Sequence, residues 1–97
     1  MASDSQILMH RSRDNLYLKL AGHFDGDAAH ELVYTIKTYG IGAYSIFIHT
    51  SDLKRIDHSG LDSFRRTLYR LNNHFFGSLI FTGKNSVSMA PKNSQVI

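Results

Sequence analysis

Residues 56–61, with the sequence IDHSGL, have the clearest chemical potential in the chain. An acid, an imidazole and a hydroxyl follow one another there, just before a helical pattern of apolar residues begins. Backbone N–H groups point outward at the start of a helix and favour negative charge. Ser59 is therefore a candidate phosphorylation site, because a phosphoserine carries about −1.5 to −2 charges at pH 7.

A purely structural role for Ser59 is also open. Its hydroxyl is placed to cap the helix by accepting a backbone hydrogen bond near Asp62, and Ser59 with Asp62 forms a loose capping-box match. Spacing alone favours this capping role over modification. The sequence therefore leaves both roles for Ser59 in place.

The same residue types do not indicate an enzyme. Asp57, His58 and Ser59 are the types of a hydrolase triad, but three consecutive residues do not align a nucleophile, a base and an orienting acid. There are no cysteines, and the histidines, at positions 10, 23, 30, 49, 58 and 74, show no i, i+4 ligand spacing. The glycines form no phosphate-binding loop. We expect no catalytic residue, no metal site and no cofactor.

Length and charge indicate one ordinary domain. The 97 residues carry a net charge of +3 with 42% hydrophobic residues, and they suit a single domain, 1–97, with its core over about 6–83 and a short polar tail at 84–97. The basic residues are dispersed, so we expect no nucleic-acid partner. With no leader-like segment and no apolar run of spanning length, we expect a soluble cytoplasmic protein without a membrane partner.

The elements that position residues 56–61 follow from hydrophobic periodicity. Strands over 6–10 and 16–20, joined by a polar turn, predict a hairpin. A break at 22–27 follows, where Asp25 or Asp27 is suited to cap a helix. That helix has apolar residues at the spacing of one face and ends near two glycines: Ala29, Leu32, Val33, Ile36, Gly40 and Gly42.

The second half repeats the alternation. The apolar run at 44–49 predicts a central strand covered on both faces, and 50–55 predicts a polar loop. The next helix has one apolar stripe and ends at 72–74; its stripe is Leu61, Phe64, Leu68 and Leu71. A strand within 75–83, a helical turn at 86–90 and an edge strand at 95–97 complete the order β-β-α-β-α-β-α-β. This order predicts an α/β fold with a mixed, mostly parallel sheet.

The order of the elements, together with two short motifs, resembles that of a known family. Residues 16–25, LYLKLAGHFD, are similar to the second strand and the Gly-x-x-Asp turn of STAS domains, the fold of bacterial anti-sigma factor antagonists. Residues 44–53 resemble the central strand and loop of that family, and 56–61 resemble its Asp-Ser-Ser-Gly-Leu signature, with His58 in place of the first serine. The resemblance covers about residues 16–83.

The resemblance implies a STAS-like small mixed β-sheet with helices packed mainly on one side. It also implies a regulatory protein-binding module that an anti-sigma factor serine kinase phosphorylates and a phosphatase dephosphorylates. The modified serine corresponds to Ser59. The residues implied to contact the kinase or partner are Asp25, Asp57, His58, Gly60 and Leu61.

Other functions stay open on the sequence. A STAS-like accessory subunit of a transport or other regulatory assembly would have the same fold, with Ser59 only capping a helix. The basic isoelectric point leaves nucleic-acid binding as a weaker third alternative. A homodimer is also compatible with the sequence.

Overall fold

A computed structural model describes residues 5–70, 78–91 and 94–97. Along these segments the strands and helices follow in the predicted order, including the short final helix and strand. Their bounds are β1 (Gln6–Ser12), β2 (Asn15–Phe24), α1 (Gly26–Tyr39), β3 (Ser45–Ile56), α2 (His58–Arg70), β4 (Ser78–Thr82), α3 (Ser86–Met89) and β5 (Gln95–Val96). The predicted end of the second helix at 72–74 lies outside the described residues.

The strands form one mixed sheet in the order β1-β2-β3-β4-β5. β1 and β2 form an antiparallel hairpin, and all other neighbours are parallel. The parallel pairs need long connections, which α1 provides between β2 and β3 and α2 provides between β3 and β4. The predicted α/β class and mixed sheet are confirmed.

The core lies between one face of the sheet and the helices. Alternate residues of β2 are buried on that face, Leu16, Leu18 and Leu20, and they pack with the apolar stripe of α1. Phe64 of α2 contacts Phe24 and Phe81 edge to face, with ring centroids 6.0 Å apart in both pairs. The core also includes Met89 of α3, which is fully buried beyond the predicted core boundary at residue 83.

Residues 50–55 belong to β3, so the prediction of a loop there was wrong. β3 pairs with β4 only as far as His49 and continues beside β2 to Ile56. Two irregularities in the β2–β3 register accommodate the extra residues of β3. Thr50 and Leu53 are buried along this stretch, while Asp52 and Lys54 are exposed. The stretch was predicted as a loop because most of its residues are polar.

Among the described residues, helices cover only one face of β3, whereas the prediction had both faces covered. The second face of the sheet, called the open face below, has Tyr17, Lys19, Phe47 and His49 at alternate positions of β2 and β3. Phe47 and His49 are half-buried, and Tyr17 and Lys19 are exposed. This face has a shallow groove, and the described residues that line it all belong to strands. The helices described therefore pack on one side of the sheet, as the resemblance implied.

A turn after β4 is held against β3 by partly buried hydrogen bonds. The Thr50 hydroxyl donates to the carbonyl of Thr82 at 2.8 Å and accepts from the backbone N–H of Asn85 at 3.1 Å. Gly83 has φ +95°, and a Cβ there would lie 2.5 Å from the Ser51 hydroxyl. Only glycine suits this position, which directs the chain from β4 into α3.

Candidate functional site

The candidate site lies where two neighbouring strands end and two helices begin. Phe24 at the end of β2 pairs with Ile56 at the end of β3. The backbone N–H of Asp57 donates to the carbonyl of Phe24 at 2.9 Å. The β2–α1 and β3–α2 junctions are therefore fixed side by side, at the carboxyl end of the parallel strands, where α/β folds usually place function.

Ser59 is the second residue of α2 and is exposed. The helix begins at His58, two residues earlier than a capping role for Ser59 requires. Its first backbone bond runs from the N–H of Leu61 to the carbonyl of Asp57 at 3.1 Å. Within the described segments, the Ser59 hydroxyl has no hydrogen-bond partner. The capping bond near Asp62 is absent, and the hydroxyl faces solvent on a fixed helix turn.

Gly60 holds the start of α2 against the start of α1. It is buried, and a Cβ at this position would lie 2.9 Å from the backbone carbonyl group of Asp25 and 2.9 Å from the carbonyl oxygen of Phe24. Real Cβ atoms do not come that close to backbone atoms, so a side chain would separate the two junctions. This contact sets the position of Ser59 relative to Asp25.

Asp25 caps α1. Its Oδ1 accepts the backbone N–H of Ala28 at 2.9 Å, and its backbone carbonyl accepts the N–H of Ala29. Of the two acids predicted as caps, Asp25 is the N-cap and Asp27 lies in the first turn of the helix. The Asp25 carboxylate is half-buried and engaged by its own helix, so its position is rigid.

Asp57 belongs to a small charged cluster. Its Oδ2 lies 3.0 Å from Nε2 of His23, although this contact lacks the alignment of a regular hydrogen bond, and its Oδ1 lies 3.6 Å from Nε of Arg55. The close contact with His23 is the main cause that lowers the pKa of Asp57; the charges of His23 and Arg55 add to it, while desolvation opposes it. Asp57 therefore carries its negative charge directly beside the start of α2.

The remaining predicted residues complete a surface around Ser59. His58 is exposed, and Leu61 is half-buried against the core. Sequence reasoning missed His23 as a partner of Asp57, since 34 positions separate them and a strand histidine gives no local signal. Only the pairing of β2 with β3 brings them together.

The described part of the chain has no group of three His, Asp or Glu side chains placed to hold a metal ion. It also has no helix that is long and apolar enough to cross a membrane. The surface around Ser59 instead combines exposed side chains on a rigid backbone, an arrangement suited to docking a partner.

The order and pairing of the strands and helices define a STAS-like α/β fold. The comparison with solved structures supports this class: the chain matches the anti-sigma factor antagonist SpoIIAA, solved in its unphosphorylated form, with a TM-score of 0.60 and 17% sequence identity. The match covers 96% of this chain and 86% of SpoIIAA. The resemblance in fold is thus confirmed. No protein-family model and no curated protein matches the chain.

Proposed function

We propose that this chain is a cytoplasmic regulatory module that acts by binding a partner protein, and that phosphorylation of Ser59 switches the binding. The exposed, unbonded hydroxyl of Ser59 on the first turn of α2 carries this proposal. The similar fold of an anti-sigma factor antagonist that was solved in its unphosphorylated form supports it. The partner in this proposal is an anti-sigma factor serine kinase, and a phosphatase reverses the modification.

The surroundings of Ser59 explain how a phosphate would act. The dipole of α2 favours an anion at its start by about 0.3–1 kcal/mol, so the modified chain keeps its fold. Asp57 is already ionised two residues away, and Asp62 is exposed on the same helix. A phosphate therefore makes this surface strongly negative, and it repels acidic groups of a docked partner while adding bulk.

The other predicted residues have positioning and contact roles in this proposal. Gly60 and Asp25 hold the two helix starts together. His58 and Leu61 flank Ser59 and contribute to the docking surface. Asp57 supplies the charge that a kinase recognises beside its substrate hydroxyl.

The first test is chemical mapping of the modification. The full chain is incubated with ATP and a serine kinase of the anti-sigma factor type from the same source, and modified peptides are located by mass spectrometry. We expect one phosphate, on Ser59, and none in Ser59→Ala. Modification elsewhere in the chain, or none at all, would count against the switch.

Purification with native partners distinguishes the proposed module from the alternative, an accessory subunit of a transport assembly. Recovery of the tagged chain with a serine kinase supports the proposed module. Recovery with a transport ATPase and without a kinase would instead assign it as an accessory subunit, and the switch would be withdrawn.

A further inference from the structure

The open face carries a groove of about 500 Å³ that the proposed function does not use. None of its lining residues belongs to the segment around Ser59 or to a helix. Its floor is apolar, with Leu8, Tyr17 and Phe47 contributed by β1, β2 and β3. Its volume is within the range of small-molecule sites, which are usually apolar with a few polar groups.

The aromatic side chains of the groove form a row across three strands. Tyr17 and Phe47 stack with ring centroids 5.0 Å apart and planes 9° from parallel, and His10 lies 6.1 Å from Tyr17. The stack leaves no space for another ring between Tyr17 and Phe47, so a nucleobase cannot insert there. A planar ligand can lie across the row instead, in contact with several side chains at once.

Among the described residues, the polar side chains that line the groove are one lysine, two histidines and the hydroxyls of Tyr17 and Thr82, and none is a carboxylate. Nζ of Lys19 lies 3.1 Å from Asp52, and its side chain is 52% exposed, so further donors of the ammonium group stay available. Nδ1 of His49 is 3.1 Å from the Thr82 hydroxyl. The other ring nitrogen of His49 has no hydrogen-bond partner among the described residues. This charge pattern is complementary to an anion.

We propose that this groove binds a small aromatic carboxylate. The aromatic ring system of the ligand packs on Leu8, Tyr17 and Phe47. Its carboxylate group contacts Lys19 and His49. The site is independent of Ser59, so it stands or fails separately from the phosphorylation switch.

The probe for this site is 2-naphthoate, and the uncharged 2-naphthamide is its control. Both are titrated into the isotopically labelled full chain and followed by amide chemical shifts. We expect saturable shifts in β1, β2 and β3 with 2-naphthoate, with a Kd on the order of 1 mM for a ligand of this size in a shallow groove. The amide should bind several-fold more weakly.

Single substitutions test which side chains bind the ligand. Lys19→Gln should weaken 2-naphthoate about three- to fivefold, because it removes one exposed charge contact, and Tyr17→Thr should weaken it about tenfold. Lys54→Gln, on β3 but outside the groove, should leave the Kd unchanged. Lys19→Gln keeps the test valid if Tyr17→Thr does not fold.

Several results would overturn the site. These are shifts outside the open face, equal affinity for the acid and the amide, or equal effects of Lys19→Gln and Lys54→Gln. Displacement of 2-naphthoate by a more tightly bound single-stranded oligonucleotide at physiological salt would assign the groove to nucleic acid instead.

Discussion

At the scale of single residues, Asp57 links the charge of the site to stability. Its pKa lies below the ordinary value in the folded chain because it contacts His23 and Arg55. A lowered folded pKa means that ionised Asp57 stabilises the fold at pH values above its unfolded pKa, near 3.8. This contribution is lost as the pH falls through the folded pKa.

We therefore predict that Asp57→Asn reduces the free energy of unfolding most near neutral pH. The difference from the natural chain should shrink as the pH is lowered below about 4. Urea unfolding across this pH range measures it. Asp62→Asn, which removes an exposed acid without an ion pair among the described residues, is the control and should show a smaller pH dependence. A destabilisation by Asp57→Asn that stays constant with pH would contradict the role of its charge.

At the scale of elements, the contact between the two helix starts is the feature that positions Ser59. Gly60 makes this contact with no side chain, against the backbone of Phe24 and Asp25. Gly26, the first residue of α1, has open space where its Cβ would be. These two glycines therefore form a matched pair, one constrained by packing and one free of it.

Gly60→Ala should lower the free energy of unfolding by about 1–3 kcal/mol, because the new methyl group forces backbone atoms apart. Gly26→Ala should be neutral or raise it by about 0.4–1 kcal/mol, because it restricts the unfolded chain. Chemical denaturation of both variants measures the difference. Equal effects of the two substitutions would show that the close approach at Gly60 is not a constraint.

Most elements were predictable from local pattern. Alternation at Leu16, Leu18 and Leu20 indicated β2, and the apolar stripe with an acid ahead of it indicated α1. The IDHSGL segment indicated the start of α2 to within two residues. These signals are local because the period of burial follows directly from the geometry of helices and strands.

The errors concern features that depend on distant residues. The polar stretch 50–55 continues as a strand because β2 extends beside it and register irregularities accommodate it. The pairing of His23 with Asp57 and the aromatic row of the open face depend on which strands become neighbours. No window of sequence contains that information, since the partners lie about 30 residues apart.

At the scale of the whole molecule, one core supports both junctions. Phe64 of α2 contacts Phe24 at the end of β2 and Phe81 of β4, so it connects the helix that carries Ser59 to the sheet. A chain of 97 residues has a total stability of about 5–15 kcal/mol. A single core contact of this kind is therefore a large part of the total.

We predict that Phe64→Ala lowers the free energy of unfolding by about 3–5 kcal/mol, and that Phe64→Leu costs markedly less. Thermal and urea unfolding measure both. Tyr69→Ala, which truncates an exposed aromatic residue of the same helix, is the control and should change stability by no more than about 0.5 kcal/mol. If Phe64→Ala were no more harmful than Tyr69→Ala, the aromatic cluster would not be the link between α2 and the sheet.

The central claim concerns charge at Ser59, and the most direct measurement is the affinity of full-length variants for the partner kinase by calorimetry. Ser59→Asp should raise the Kd at least tenfold, a change of about 1.4 kcal/mol, with no loss of stability. Ser59→Ala should bind within about twofold of the natural chain, as should Ser12→Asp, which adds the same charge at the opposite end of the sheet. Unchanged affinity in Ser59→Asp, or an equal loss in Ser12→Asp, would contradict the switch.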